Sequence, residues 1–508
     1  MVRVDTHVTI RDVIRVAKFR EKVDISKETL ERISRIRAKL EKLVKSGAVI
    51  YGVNTGFGAL VDKRIEAGEL EELQLSVLRS HCAGVGNPLP EETVRGMIFL
   101  RAVSLAKGYS GVRPIVIQRL MDFLNLNIVP VVPEKGSVGA SGDLAPLSHV
   151  ALALVGEGEV FLEGKRIPAS EALAKAGLER LELREKEGLS LVNGTQASAS
   201  LAVLNLWKAR KLLDLAVVAA AMSLDALKGS TLPFDERIHM VRLHPGQLRI
   251  AKKLRELLEG SEIRASHLHC QQVQDAYTLR TIPQVYGAVL DTMDYVERVL
   301  EIEINAVTDN PLIFENGDSL TVISGGNFHG EPVALVCDYL SIALCDMMNM
   351  MERRIDRLLN PMVSRGLPPF LARGKEGLNS GYMLWQYTAA SIASENKVLA
   401  HPSSADSIPT SAYQEDHVSM SMNAALKLDR ILKNLELMVS IELMLASRAL
   451  EAREPLKTSP ILEEYKQELL SRMGAYEKDR VFQDDFQKVL EFVKDHLNSS
   501  GCKLTHNF

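Results

Sequence analysis

The stretch KGSVGASGDLAPLSHVA, Lys135 to Ala151, crowds Gly136, Gly139, Ala140, Ser141 and Gly142 together and follows them at once with Asp143. Three familiar uses of such a segment fail on spacing. A phosphate-binding loop needs a lysine after its last glycine, and none stands there. A dinucleotide loop needs G-x-G-x-x-G after a strand, whereas the glycines here run G-x-x-G-x-x-G. A hydrolase elbow needs glycine two residues after its serine, where this chain has Asp143. Two readings remain. One is a plain loop capping the apolar helix that follows. The other is self-reaction, in which a tight bend brings the Gly142 nitrogen onto the Ala140 carbonyl, with no side chain at 142 to hinder it. Loss of water from the ring and from Ser141 then leaves an exocyclic methylidene. That group is an electrophile no ordinary side chain offers, and it makes an external carbonyl cofactor unnecessary.

Whatever the segment does, mainly helical elements must position it. Ser26 is a plausible N-cap for a helix to Ser46, with Leu30, Ile33, Ile36, Leu40 and Leu43 on one face and Gly47 as its stop. Helical text resumes over 69–82 and 91–126. GEVFLEGKRIPA reads as one small hairpin about Glu163-Gly164. Long apolar-striped helices then cover roughly 196–229, 283–304, 330–359 and 380–400. A further stripe runs through Leu428, Leu432, Leu435, Val439, Leu443 and Ala446. Helices of this length bundle, because each stripe needs a partner, and stripes left outside favour a homo-oligomer. The reading is a mainly α chain: an N-terminal, loop-rich region over 1–200, a central long-helix bundle over 201–453 and a helical tail over 454–508.

Composition narrows the function classes. The 508 residues are 46% hydrophobic, enough for extensive burial. Lys and Arg number 61 against 65 Asp and Glu, a net charge of −4 that gives no support to nucleic-acid or membrane partners. The N-terminus carries Asp5 and Arg11 where a signal peptide needs an unbroken apolar core. The five cysteines (Cys82, Cys270, Cys337, Cys345, Cys502) form no CxxC pair, and a reduced cytoplasmic setting is expected. HLHC, His267 to Cys270, is too compact for a tetrahedral zinc set, so no metal is expected.

The run GSVGASGDLAPLSHVALALVGEG resembles the prosthetic-group segment of the aromatic amino acid ammonia-lyases. YGVNTGFG (Tyr51–Gly58), LVNGTQ (Leu191–Gln196), VQDAYTLR (Val273–Arg280), NAVTDNPL (Asn305–Leu312), SGGNFHGEPVA (Ser324–Ala334) and QEDHVSM (Gln414–Met420) are similar to further blocks of that family, in its order. The resemblance implies that Ala140-Ser141-Gly142 forms 4-methylidene-imidazol-5-one (MIO), with no external cofactor, in a homotetramer with shared active sites. It extends to the histidine-acting members, which carry Ser-His where this chain has Ser80-His81 and a glutamate where it has Glu415. The physical sense is that an imidazole has two polar nitrogens, each needing a partner in a mostly dry pocket. The implied reaction is elimination of ammonia from L-histidine to give trans-urocanate.

Within that resemblance Tyr51 is the base for the β-proton, which requires electropositive surroundings to bring a phenol toward working pH. Arg280 clamps the substrate carboxylate in two-point geometry. Asn193 serves the carboxylate and the MIO surroundings. Tyr277 and Gln274, three apart on one expected helix, assist proton transfer and orient substrate. Phe328 packs against the rings, and His81 and Met383 line the imidazole pocket. Glu415 either holds the imidazole or exchanges protons with it. Departures are few: Thr281-Ile282, the bulky Trp385 and Tyr387, and Tyr413 before QEDH. If these reach the pocket, a histidine derivative becomes possible; the alternative reading is an MIO-dependent lyase or aminomutase acting on tyrosine, phenylalanine or a histidine derivative.

Overall fold

The computed structural model describes residues 1–47, 50, 53–55, 65, 67–268, 273–375 and 377–499. Helix dominates them. Lys27–Lys45 is helical, and the Ser26 hydroxyl accepts the Thr29 N–H as its cap. The text over 91–126 is two helices, Glu91–Ala106 and Pro114–Asn125, not one. The break falls at Gly108 to Arg113, where proline opens the second helix at a position that has no N–H to lose. The long stripes appear as Gln196–Ala226, Ile282–Glu303, Glu331–Leu359, Met383–Leu399 and Ser421–Glu451.

The sheets are small. Glu159–Leu162 pairs with Lys165–Pro168 about Glu163-Gly164, both at positive φ, and Val129–Pro130 adds a third strand. A second hairpin, Leu312–Asn316 with Ser319–Ile323, corrects the expectation of only one. Val85–Pro88 runs antiparallel to Pro133–Lys135. This last pair matters most, because it ties the chain leaving His81 to the chain entering Lys135.

The chain forms two compact units, each assembled from segments that are discontinuous in sequence. One comprises Met1–Asn205, Val296–Asp338 and Pro402–Leu426, the other Leu206–Tyr295, Tyr339–His401 and Lys427–Phe508. The core of the second unit is a helical bundle registered by a polar centre. Glu442 accepts from Arg354 Nε at 2.6 Å and from the Ser223 hydroxyl at 2.9 Å, and Arg354 also donates to the Tyr286 hydroxyl. Arg354 and Glu442 are fully buried, and segments of four long helices meet at them.

Candidate active site

In the first unit, His81, Ala140, Ser141, Asn193, Phe328 and Glu415 line one cavity of about 730 Å³. Six of the residues singled out from sequence are therefore brought together, and Gly142 adjoins them. His81 ends the Leu70–His81 helix, and the loop beyond it is fastened where Gly84 N–H donates to His149 Nε2 at 3.2 Å. His149 lies on Leu144–Leu154, the helix that Asp143 opens. Burial lowers the His81 pKa, against the raising effects of a hydrogen bond near Val77 and the charge of Glu415. The neutral imidazole so favoured offers one donor and one acceptor.

Glu415 follows a turn in which Ser411, Ala412 and Tyr413 all hold positive φ. A two-way backbone bridge between Thr410 and Glu415 closes that turn. Both carboxylate oxygens are engaged: Oε2 accepts from the Thr410 hydroxyl and Oε1 from the Ser141 hydroxyl, each at 2.6 Å. Asn193 sits at the C-cap of Glu187–Val192 and donates Nδ2–H to the Ser141 carbonyl at 3.1 Å. Its own carbonyl accepts from Arg101 Nη1 at 2.6 Å.

Asp143 is fully buried. It accepts from the Ser137 hydroxyl at 2.7 Å and from the N–H and hydroxyl of Ser198 at 2.8 Å. Burial still raises its pKa, with those hydrogen bonds opposing. Burial does the same to Glu303, which accepts from the Thr195 hydroxyl and feels the charge of Asp143.

These residues fit a ring built from Ala140-Ser141-Gly142. Gly142 has φ +76°, and a Cβ there would collide with the Gly194 backbone. The carbonyl oxygen of residue 141 survives such a cyclisation and already has a donor in Asn193. Asn193 Oδ1 is buried and has no partner among the described residues, so it remains for a ligand.

The other expected residues are placed separately. Tyr51 lies outside the described residues, as do His269 and Cys270 of HLHC. Among the described residues no cluster of three metal-ligating side chains occurs. Tyr277 opens the short helix Tyr277–Arg280 and carries the Arg280 guanidinium over its ring at 4.6 Å. Gln274 does not share that helix, contrary to expectation. The chain before Tyr277 is extended because Asp275 is pulled aside by Arg365 and the Ser230 N–H, each at 2.6 Å. Met383 opens Met383–Leu399, where the Trp385 ring lies tilted against Phe486 with centroids 5.0 Å apart and Tyr387 is exposed. Tyr413 is exposed in the left-handed turn.

Sequence reasoning missed five contributors: Thr410, Arg101, Ser419, and His329 with His417, a stacked pair on the cavity wall. A charge inside the apolar run MIFLRAVSLA was a usable signal for Arg101. Ser419, His329 and His417 stand inside QEDHVSM and SGGNFHGEPVA, so their blocks were visible though their contacts were not, and Thr410 has no such signal.

A mainly helical scaffold that sets an Ala-Ser-Gly bend beside a carboxylate, a neutral-leaning histidine and an amide donor is that of a carbon–nitrogen lyase. Residues 8–471 match the model of the aromatic amino acid lyases, and the chain belongs to that family. It is 50% identical over 486 residues to a histidine ammonia-lyase of Geobacillus thermodenitrificans, covering 96% of this chain and 95% of that one. Among solved structures it resembles histidine ammonia-lyase from Trypanosoma cruzi, with TM-score 0.89 and 40% identity over 98% and 94% of the two chains. It resembles tyrosine aminomutase from Streptomyces globisporus similarly, with TM-score 0.91 and 36% identity over 98% and 97%.

Proposed function

We propose that the chain catalyses the non-oxidative deamination of L-histidine to trans-urocanate and ammonia, using MIO formed from Ala140, Ser141 and Gly142. The observation that carries this reading is the Glu415 carboxylate reaching residue 141 in a cavity that His81 also lines. MIO supplies an electrophilic carbon for the substrate amine, which turns a poor leaving group into a workable one.

The chain's own residues do the rest. Glu415, held by Thr410, accepts from one nitrogen of the substrate imidazole, and neutral His81 partners the other. A phenyl or phenol ring would leave one or both of these half-buried polar groups unpaired, at a cost of up to about 1–3 kcal/mol each. Asn193 donates to the residue 141 carbonyl, where negative charge collects when the electrophile is engaged. Phe328 packs against the rings and excludes water. Tyr51 takes the β-proton, Arg280 holds the substrate carboxylate, and Tyr277, Gln274 and Met383 serve amine proton transfer, substrate orientation and the imidazole pocket. We take the assembly to be a homotetramer and the compartment to be the cytoplasm. The free Cys82, Cys337 and Cys345 support the latter.

Purified protein given histidine should release ammonia and develop the ultraviolet absorbance of urocanate. Silence with histidine, together with cinnamate or coumarate from phenylalanine or tyrosine, would sink the substrate assignment.

A further inference from the structure

The backbone leading into Ala140 is gripped by a segment nearly three hundred residues later. Met420 N–H donates to the Val138 carbonyl at 2.8 Å. The Ser419 hydroxyl donates to the Gly139 carbonyl at 2.9 Å, across 280 positions of sequence. The same hydroxyl accepts the Ser421 N–H at 3.2 Å, so its proton is aimed at Gly139. Ser421 opens a 31-residue helix, which makes the mount rigid. Met420 holds φ +56°, a left-handed conformation uncommon for a residue with a side chain. Val418 and Met420 pack on the Ala140 methyl. Gly139, at φ +66°, lies so close that a Cβ would collide with the hydroxyls of Ser419 and Ser421.

Downstream the chain is held as firmly. Asp143 N–H donates to the Gly194 carbonyl at 2.7 Å, and Asn193 holds the Ser141 carbonyl. Ala140, Ser141 and Gly142 thus form a short arch between two fixed ends.

We propose that Ser419 is a positioning residue for ring closure: with the Met420 amide it anchors the upstream end of the arch so that the Gly142 nitrogen meets the Ala140 carbonyl carbon. This rests on the MIO reading above. The step forms one bond, from Gly142 N to Ala140 C. The Ala140 oxygen leaves as water with the hydrogens of the Gly142 and Ser141 amides, and a C=N bond forms between Ala140 C and Ser141 N. The second water takes the Ser141 hydroxyl and its Cα hydrogen and leaves the methylidene. No oxidant or co-reactant is needed. Ser419 exchanges no atom with the ring; it fixes geometry, and geometry dominates the rate of an intramolecular closure.

The test is the intact mass of the full chain sampled through time after cell-free synthesis, with folding followed in parallel by circular dichroism and Ser141→Ala as the unreacted baseline. The parent should become lighter by two waters. Ser419→Ala, folded, should lose them roughly tenfold more slowly or worse, and Ser419→Cys, which keeps a weaker donor, should fall between. Folded Ser419→Ala maturing at the parent's rate overturns the proposal. If that variant does not fold, Ser419→Cys decides: slower maturation supports the anchor and the parent's rate refutes it. A parent that keeps its full sequence mass overturns MIO formation and the anchor together, whereas parent and variant both two waters lighter at equal rates remove the anchor alone.

Discussion

At the scale of single residues, the site fixes its key polar atoms and leaves one buried acceptor of Asn193 for a ligand. Glu415 has both oxygens engaged, the Ser141 carbonyl has its donor, and Asn193 Oδ1 is left over. Removing the Asn193 amide should therefore act on the chemical step. Asn193→Ala should lower kcat by about 10²- to 10³-fold, the usual cost of one donor to a developing oxyanion, and an unchanged kcat with raised KM would contradict this. His81 makes a prediction in pH. Burial holds its pKa below the ordinary imidazole value of about 6.5, so it is neutral above that value and charges only as pH falls further. The KM for histidine should be flat above about pH 6.5 and climb below it, as the acceptor is lost. Kinetics of His81→Asn should show a smaller limb, the remainder being titration of the substrate's own imidazole. The convergence of Ser141, His81, Asn193 and Glu415 was legible because each stands in a distinctive block of sequence. The roles of Thr410 and Ser419 were not, since a hydroxyl five residues before Glu415 or four after it says nothing about which oxygen it will reach.

Elements were readable where a repeat of 3.6 residues had room to show itself. Four of the five long helices begin and end within three residues of their apolar stripes, and the fifth, Ser421–Glu451, extends past both ends of the Leu428 to Ala446 stripe. The misreadings share a cause, which is local chemistry overriding period. An apolar composition carried the 91–126 pattern across a Gly-rich break, and Asp275 diverted the chain that would have placed Gln274 beside Tyr277. The Leu312–Ile323 hairpin announced itself in Gly317-Asp318, a turn signal hidden by the helices on both sides. What periodicity cannot reveal is the polar centre at Glu442, because a fully buried ion pair looks like a surface charge in sequence. Glu442→Leu should destabilise the second unit by about 3–5 kcal/mol, since it leaves Arg354 buried without its counter-charge. Adding Arg354→Met should recover much of that loss. Denaturant titration of the single and double variants checks both statements.

For the whole molecule, the two units interleave in sequence, and no contiguous division of the chain expresses that. A stripe shows that a helix face must be covered but not by which segment, so the pairing of distant segments was beyond reach from sequence. The helix Met383–Leu399 leaves Leu384, Tyr387 and Val398 exposed, as an apolar face would be in one chain of a larger assembly. Light scattering on the eluted protein should give four chain masses. Leu384→Glu with Tyr387→Glu should shift the population to smaller species, and a parent eluting as a monomer would remove the tetramer.

The grip of Ser419 and Met420 on Val138 and Gly139 carries a consequence in time. While the chain emerges from the ribosome, Ala-Ser-Gly leaves long before the segment that bends it exists. On the proposed MIO reading, a nascent protein therefore carries inert peptide, and the electrophile arises only once the cavity that shields it has been assembled. Translation order acts as the safety catch, and a chain cut short before residue 419 never becomes reactive.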